Sequence, residues 1–104
     1  MKRPVQWSRD ALDDLKAQIV HIAAENPTAA RRVADRIRDT GNAVGEMATG
    51  RPGRVVGTYE KIVAKLPYIV AYSITEAGGR EMISIVRAIH TSRDWPDEEW
   101  PKSH

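Results

Sequence analysis

The sequence predicts an α+β domain in which a helix hairpin covers a small, mainly antiparallel sheet. Three features predict it. Apolar residues recur at three- and four-residue steps through the first half, breakers cluster at Gly50-Arg51-Pro52-Gly53, and beyond them the texture turns β-branched and extended. The element order is β-α-α-β-β-β. With 104 residues and 41% hydrophobic side chains, there is apolar surface for one compact core and not for two. The expected organisation is thus one domain over 1–104, with 97–104 a tail that is polar enough to fray and carries Trp100 as an apolar docking point.

Pro4-Val5-Gln6-Trp7 alternates apolar and polar residues as a short half-buried strand does, and Ser8 after it fits a helix N-cap. Leu12, Leu15, Ile19 and Ile22 then fall on one helical stripe, with Asp13, Asp14 and Lys16 on the other face, and the helix is expected to end near Glu25. Asn26-Pro27 reads as a second N-cap followed by proline where its missing N–H costs nothing. Ala30, Val33, Ile37, Val44 and Met47 continue the helical spacing, and Gly41 and Gly45 weaken it by about 1 kcal/mol each relative to alanine. Past the breakers, Thr58 to Ala64 predicts a strand, Lys65-Leu66-Pro67 a turn, and Tyr68 to Ile74 a second strand. Gly78-Gly79 supplies the positive φ angles that a tight hairpin requires, and Met82 to His90 returns as the last strand. Tyr68 and Tyr72 share a strand face and are expected to pack.

Composition narrows the chemistry. There is no cysteine, which removes disulfides, thiolate metal sites and cysteine nucleophiles, and His21, His90 and His104 are too scattered to predict a metal site. No cofactor is expected. No stretch approaches the roughly 18 to 20 apolar residues of a membrane span, and no apolar run follows the basic start as in a signal peptide, so a cytoplasmic protein is expected. Eleven of the sixteen basic residues are arginine. Guanidinium pairs bidentately with carboxylate and phosphate, which suits an acidic protein partner or nucleic acid.

The element order and several local signatures together resemble the ParE/RelE superfamily of plasmid-stabilisation toxins over nearly the whole chain. The pieces are Trp7-Ser8 with Ala11, Asp14 and Leu15; Asn26-Pro27 with Ala29 and Ala30; Gly50 to Arg54 with Gly57-Thr58-Tyr59-Glu60; Pro67 to Tyr72; and Ile85 to His90 with Arg93, Asp94, Trp95 and Pro96. Their shared order makes them specific for the superfamily and less so for a branch within it.

The branches imply different chemistry. RelE-like members resemble ribosome-dependent mRNA endonucleases, which need a base for the 2′-hydroxyl, cations for the phosphorane charge and an acid for the leaving oxygen. Where that resemblance implies lysines and an arginine, this chain has Glu60, Ile62 and Ile69. Another endonuclease branch uses a glutamate, an arginine and a His-Tyr pair; Glu60, Arg87 and His90 imitate part of it, but Thr91 follows the histidine. A ParE-like reading needs no bond chemistry, only a surface that poisons DNA gyrase, so an inhibitor rather than an enzyme is expected.

For that surface the resemblance offers Arg51, Arg54, Arg87, Arg93 and Trp95. The plainer alternatives are that Arg87 pairs with Glu60 or Asp94, that Trp95 closes the core, and that His90 is structural. Resemblance also implies a ParD-like antitoxin with an acidic, disordered tail, together forming a hetero-oligomer. Arg31, Arg32, Arg36 and Arg38, beside the apolar stripe of the second helix, are the expected contacts; the plain alternative is a solvated face paired with Asp35 and Asp39. Three functions compete: a gyrase inhibitor, a ribosome-dependent nuclease acting on mRNA, and an inert antitoxin-binding module.

Overall fold

The computed structural model describes residues 3–53 and 55–91. Strand β1 is Val5–Trp7, helix α1 Arg9–Ala23, helix α2 Pro27–Ala43, and strands β2 to β5 are Arg51–Pro52, Tyr59–Ile62, Tyr68–Ala77 and Arg80–His90. They make one five-stranded sheet in the order β1-β5-β4-β3-β2, with β1 parallel to β5 and the other pairs antiparallel. The expected α+β class and element order hold, with two adjustments. The breaker cluster contains β2, a two-residue edge strand that places Arg51 opposite Glu60 and Pro52 opposite Tyr59; proline is tolerated there because an edge strand has one side free. Helix α2 ends at Ala43, before the expected Met47.

Local signals set the helix starts. Ser8 Oγ accepts the Ala11 N–H at 3.1 Å and Asn26 Oδ1 accepts the Ala29 N–H at 3.0 Å, each satisfying a donor that has no partner inside its helix. Gly78 and Gly79 have φ of 60° and 77°, the positive pair that a type I′ hairpin between β4 and β5 needs.

The core lies on both sides of the central strands. On the helix side Leu15, Ile37 and Val44 meet Val63, Tyr68, Val70, Tyr72, Ile83 and Ile85. On the opposite side Ile69, Ala71, Val86 and Ile89 form a second buried cluster, with Val55 packed against it. Successive β4 residues alternate between the two, as the strand period requires. Tyr68 and Tyr72 pack as expected.

The predicted α1 stripe is rotated. Ala11 is fully buried whereas Leu12 is half exposed, so the buried line begins one residue earlier than the larger side chains suggested. Gly41 has a packing reason to lack a side chain: a Cβ there would lie 2.5 Å from Trp7 Cζ2. Backbone approach between α2 and β1 offsets the helix propensity lost to glycine.

Candidate macromolecule-binding site

Asp14 was expected on the solvent face of α1 and is turned inward instead. Strand β1 covers β5 only from Ile83 to Ile85, so the next stretch of that sheet edge needs other partners for its backbone groups. Helix α1 supplies them. The Ser8 N–H donates to Ile85 O at 2.9 Å, the Ser8 hydroxyl donates to Val86 O at 3.2 Å, and the Ala88 N–H donates to Asp14 Oδ2 at 3.0 Å. Arg87 Nε and Nη2 donate to the same carboxylate at 2.7 and 2.9 Å.

A bulge aims Arg87 at it. Ala71 pairs with Arg87 but Tyr72 pairs with Ile85, so Val86 is the extra residue, and bulges redirect the side chains beside them. At 8% exposure, Arg87 is buried in a bidentate pair with Asp14, a partner the sequence reading did not name; Asp94 lies outside the described residues.

Of the three residues that imitate part of a nuclease set, His90 sits apart from Glu60 across the sheet. Glu60 and Arg87 lie in one row across β3, β4 and β5, with Ala71 between them, which separates their backbones by about 10 Å. Glu60 is 5% exposed and sits 3.9 Å from Arg51 Nη2. His90 packs edge-on against Tyr68, ring centroids 5.1 Å apart, and Tyr68 belongs to the helix-side core. Tyr59 stacks on Tyr72, also helix-side, so by alternation Glu60 points to the opposite face. Burial raises the phenols of Tyr68 and Tyr72, and the Gly50 N–H bonded to Tyr72 opposes part of its shift. Both tyrosines stay protonated near neutrality. Among the described residues no group of three metal-ligating side chains occurs.

The remaining described cations are at least partly exposed. Arg51 presents its guanidinium from β2 with a side chain 61% accessible; Arg54, Arg93 and Trp95 lie outside the described residues. On α2 the four arginines divide. Arg36 Nη1 donates to Ala64 O at 3.2 Å, on the β3 side, and Arg32 precedes it by one turn. Arg38 is 3.7 Å from Asp35, and at 3.6 residues per turn Arg31 and Arg38 fall roughly 140° or more around the helix from Arg36. All four are exposed at the surface. Two features escaped the sequence reading: the inward Asp14, and a cleft beside the end of α2 lined by Ala43, Val44, Met47 and Ile62 among others.

The geometry is that of a helix hairpin on a mixed sheet; among the described arginines one is buried and tied to a carboxylate, and the others are at least partly exposed. The profile of the ParE toxin family, described as the ParE toxin of the type II toxin-antitoxin system parDE, matches residues 5–95. The chain belongs to that family. It is 33% identical over 96 residues to the Sinorhizobium fredii protein named "Putative toxin Y4kP", covering 91% of this chain and 95% of that one. Its fold is similar to a chain of the chromosomal ParDE toxin-antitoxin system from P. aeruginosa, with TM-score 0.78, 21% identity and coverage of 88% of this chain and 98% of the other. A YoeB/ParE toxin from Agrobacterium tumefaciens is similar at TM-score 0.57 and 12% identity, covering 84% and 97%. No helix among the described residues is long and apolar enough to cross a membrane.

Proposed function

We propose that this ParE-family toxin arrests growth by inhibiting DNA gyrase in the cytoplasm, and that a cognate ParD-like antitoxin with an acidic tail holds it inactive. The observation that favours contact over cleavage is the Arg87–Asp14 pair. A guanidinium that gives Nε and Nη2 to a buried carboxylate has its charge compensated within the fold, and is poorly placed to stabilise a phosphorane. Glu60 and His90 add to this, since a base and an acid on opposite faces of a sheet cannot flank one scissile phosphate.

Arg51 is then a target contact, and Arg54, Arg93 and Trp95 are proposed as further ones. The α2 arginines take the antitoxin: their exposure and positive charge suit an acidic chain. Purified toxin added to gyrase and relaxed plasmid should block supercoiling and accumulate cleaved DNA, and equimolar antitoxin should restore activity. Undiminished supercoiling at saturating toxin would remove gyrase from the account.

A further inference from the structure

Arg32, Arg36, Thr40, Ala43, Val44 and Met47 succeed one another at steps of three or four residues, except for the adjacent pair Ala43-Val44. That spacing keeps them on one side of α2 and its extension, a track on the order of 20 Å long. Its two ends differ. The first is cationic: Arg32 and Arg36 are exposed, and Arg36 leans on Ala64 at the end of β3. The second is an apolar cleft of about 300 Å³ between α2 and β3, where Ala43, Val44 and Met47 meet Lys61, Ile62 and Ala64. Met47 is 68% exposed and Ile62 54%, two large apolar side chains in contact with water at one mouth. Lys61 holds the rim through its 2.8 Å bond to Thr49 Oγ1. The nearby acids Asp39 and Glu46 line a different cleft, with Arg3 and Val5.

We propose that a partner segment docks along this track, its acidic residues meeting Arg32 and Arg36 and one bulky apolar side chain entering the cleft at Met47 and Ile62. This rests on the antitoxin reading above and specifies where the acidic tail seats. Charge selects the occupant: a second copy of this chain, net +2 and with the same cations on the same track, would meet like charge, whereas an acidic tail with an apolar anchor complements both ends. The two ends then do separate things. The exposed arginines steer encounter and govern the association rate, whereas the cleft, desolvated on docking, governs residence.

The test is surface-plasmon kinetics with the protein encoded by the reading frame adjacent to this one, against the wild-type chain and three variants. Arg32→Glu with Arg36→Glu should slow association by about tenfold and flatten its salt dependence. Met47→Ser with Ile62→Ser, which removes the apolar anchor site without adding charge, should speed dissociation by about tenfold or more and leave association within about twofold. Leu12→Asp, a half-exposed leucine on α1 away from the track, is the control and should change neither rate. If the wild type binds and the Met47/Ile62 variant dissociates like the Leu12 control, the seat lies elsewhere and the inference falls alone. If the wild type does not bind the neighbouring protein at all, the antitoxin reading falls and takes the inference with it. A wild-type chain that self-associates through this face, with dimer lost in the Met47/Ile62 variant, overturns the choice of occupant.

Discussion

Asp14→Ala is expected to be among the most damaging single substitutions in this chain. The carboxylate holds three donors, Arg87 Nε, Arg87 Nη2 and the Ala88 N–H, at 2.7, 2.9 and 3.0 Å. Removing it leaves a buried guanidinium without this anion and a sheet-edge amide without an acceptor. Breaking a buried pair by deleting one partner costs about 3 to 5 kcal/mol, out of a total stability that for a domain of this kind is on the order of 5 to 15 kcal/mol. In urea unfolding, a slope of about 1.5 kcal/mol/M converts that loss into a midpoint lower by roughly 2 to 3 M.

The double variant Asp14→Leu with Arg87→Met supplies the second half of the test. It removes both charges and refills the space with apolar atoms, so that of the three donors on Asp14 the Ala88 N–H is the one left unsatisfied, a cost of about 1 to 3 kcal/mol. It should therefore be more stable than Asp14→Ala. A single variant within about 1 kcal/mol of wild type, or a double variant less stable than the single, would refute the assignment of Arg87 and Asp14 as a mutually dependent buried pair.

Gly41→Ala gains about 1 kcal/mol of helix propensity but drives a Cβ to 2.5 Å from Trp7 Cζ2; overpacking costs about 1 to 3 kcal/mol, so thermal unfolding should show a net loss, and a raised midpoint would contradict the packing. Tyr72→Phe leaves the Gly50 N–H, which donates to the Tyr72 hydroxyl at 2.9 Å, without its acceptor and should cost about 1 kcal/mol in urea unfolding. Because burial lifts the Tyr68 and Tyr72 phenols above their ordinary 10.0, the folded chain keeps protons that the unfolded chain releases. Their contribution is fully present below pH 10 and is lost as pH rises from there through the folded values; phenolate absorbance and the urea midpoint, followed together against pH, should show this, with a smaller alkaline loss in Tyr72→Phe. Arg51→Gln, on a side chain 61% exposed, removes the charge without setting a second carboxylate opposite Glu60 and should cost about 1 kcal/mol or less in urea unfolding while weakening gyrase inhibition; full inhibition by that variant would remove Arg51 from the target surface.

What was legible in the sequence was local. Ser8, Asn26-Pro27 and Gly78-Gly79 announce their elements because a cap or a tight turn is decided by a few adjacent backbone groups, and each appears where it was read. Tyr68 and Tyr72 follow from the two-residue period of a strand. The features that were missed depend on which elements meet. Leu12 looked like core and is half exposed because the close approach of α1 to the sheet favours the small Ala11. Asp14 looked like surface because no periodicity reveals that β1 stops at Trp7 and leaves Ala88 needing an acceptor. Arg51-Pro52 reads as a breaker until Glu60 and Tyr59 lie opposite it. The α2 arginines were legible as a charged surface; the helical period separates Arg31 and Arg38 from Arg32 and Arg36, but which pair lies toward β3 depends on how α2 packs.

The claim that this toxin acts by contact is tested most directly by primer extension on ribosome-bound mRNA in a translation reaction supplied with purified wild-type protein. The account predicts full-length transcripts, with Arg87 held by Asp14 and with Glu60 and His90 on opposite faces. Discrete toxin-dependent cuts that disappear in a folded Glu60→Gln or His90→Ala variant would contradict it.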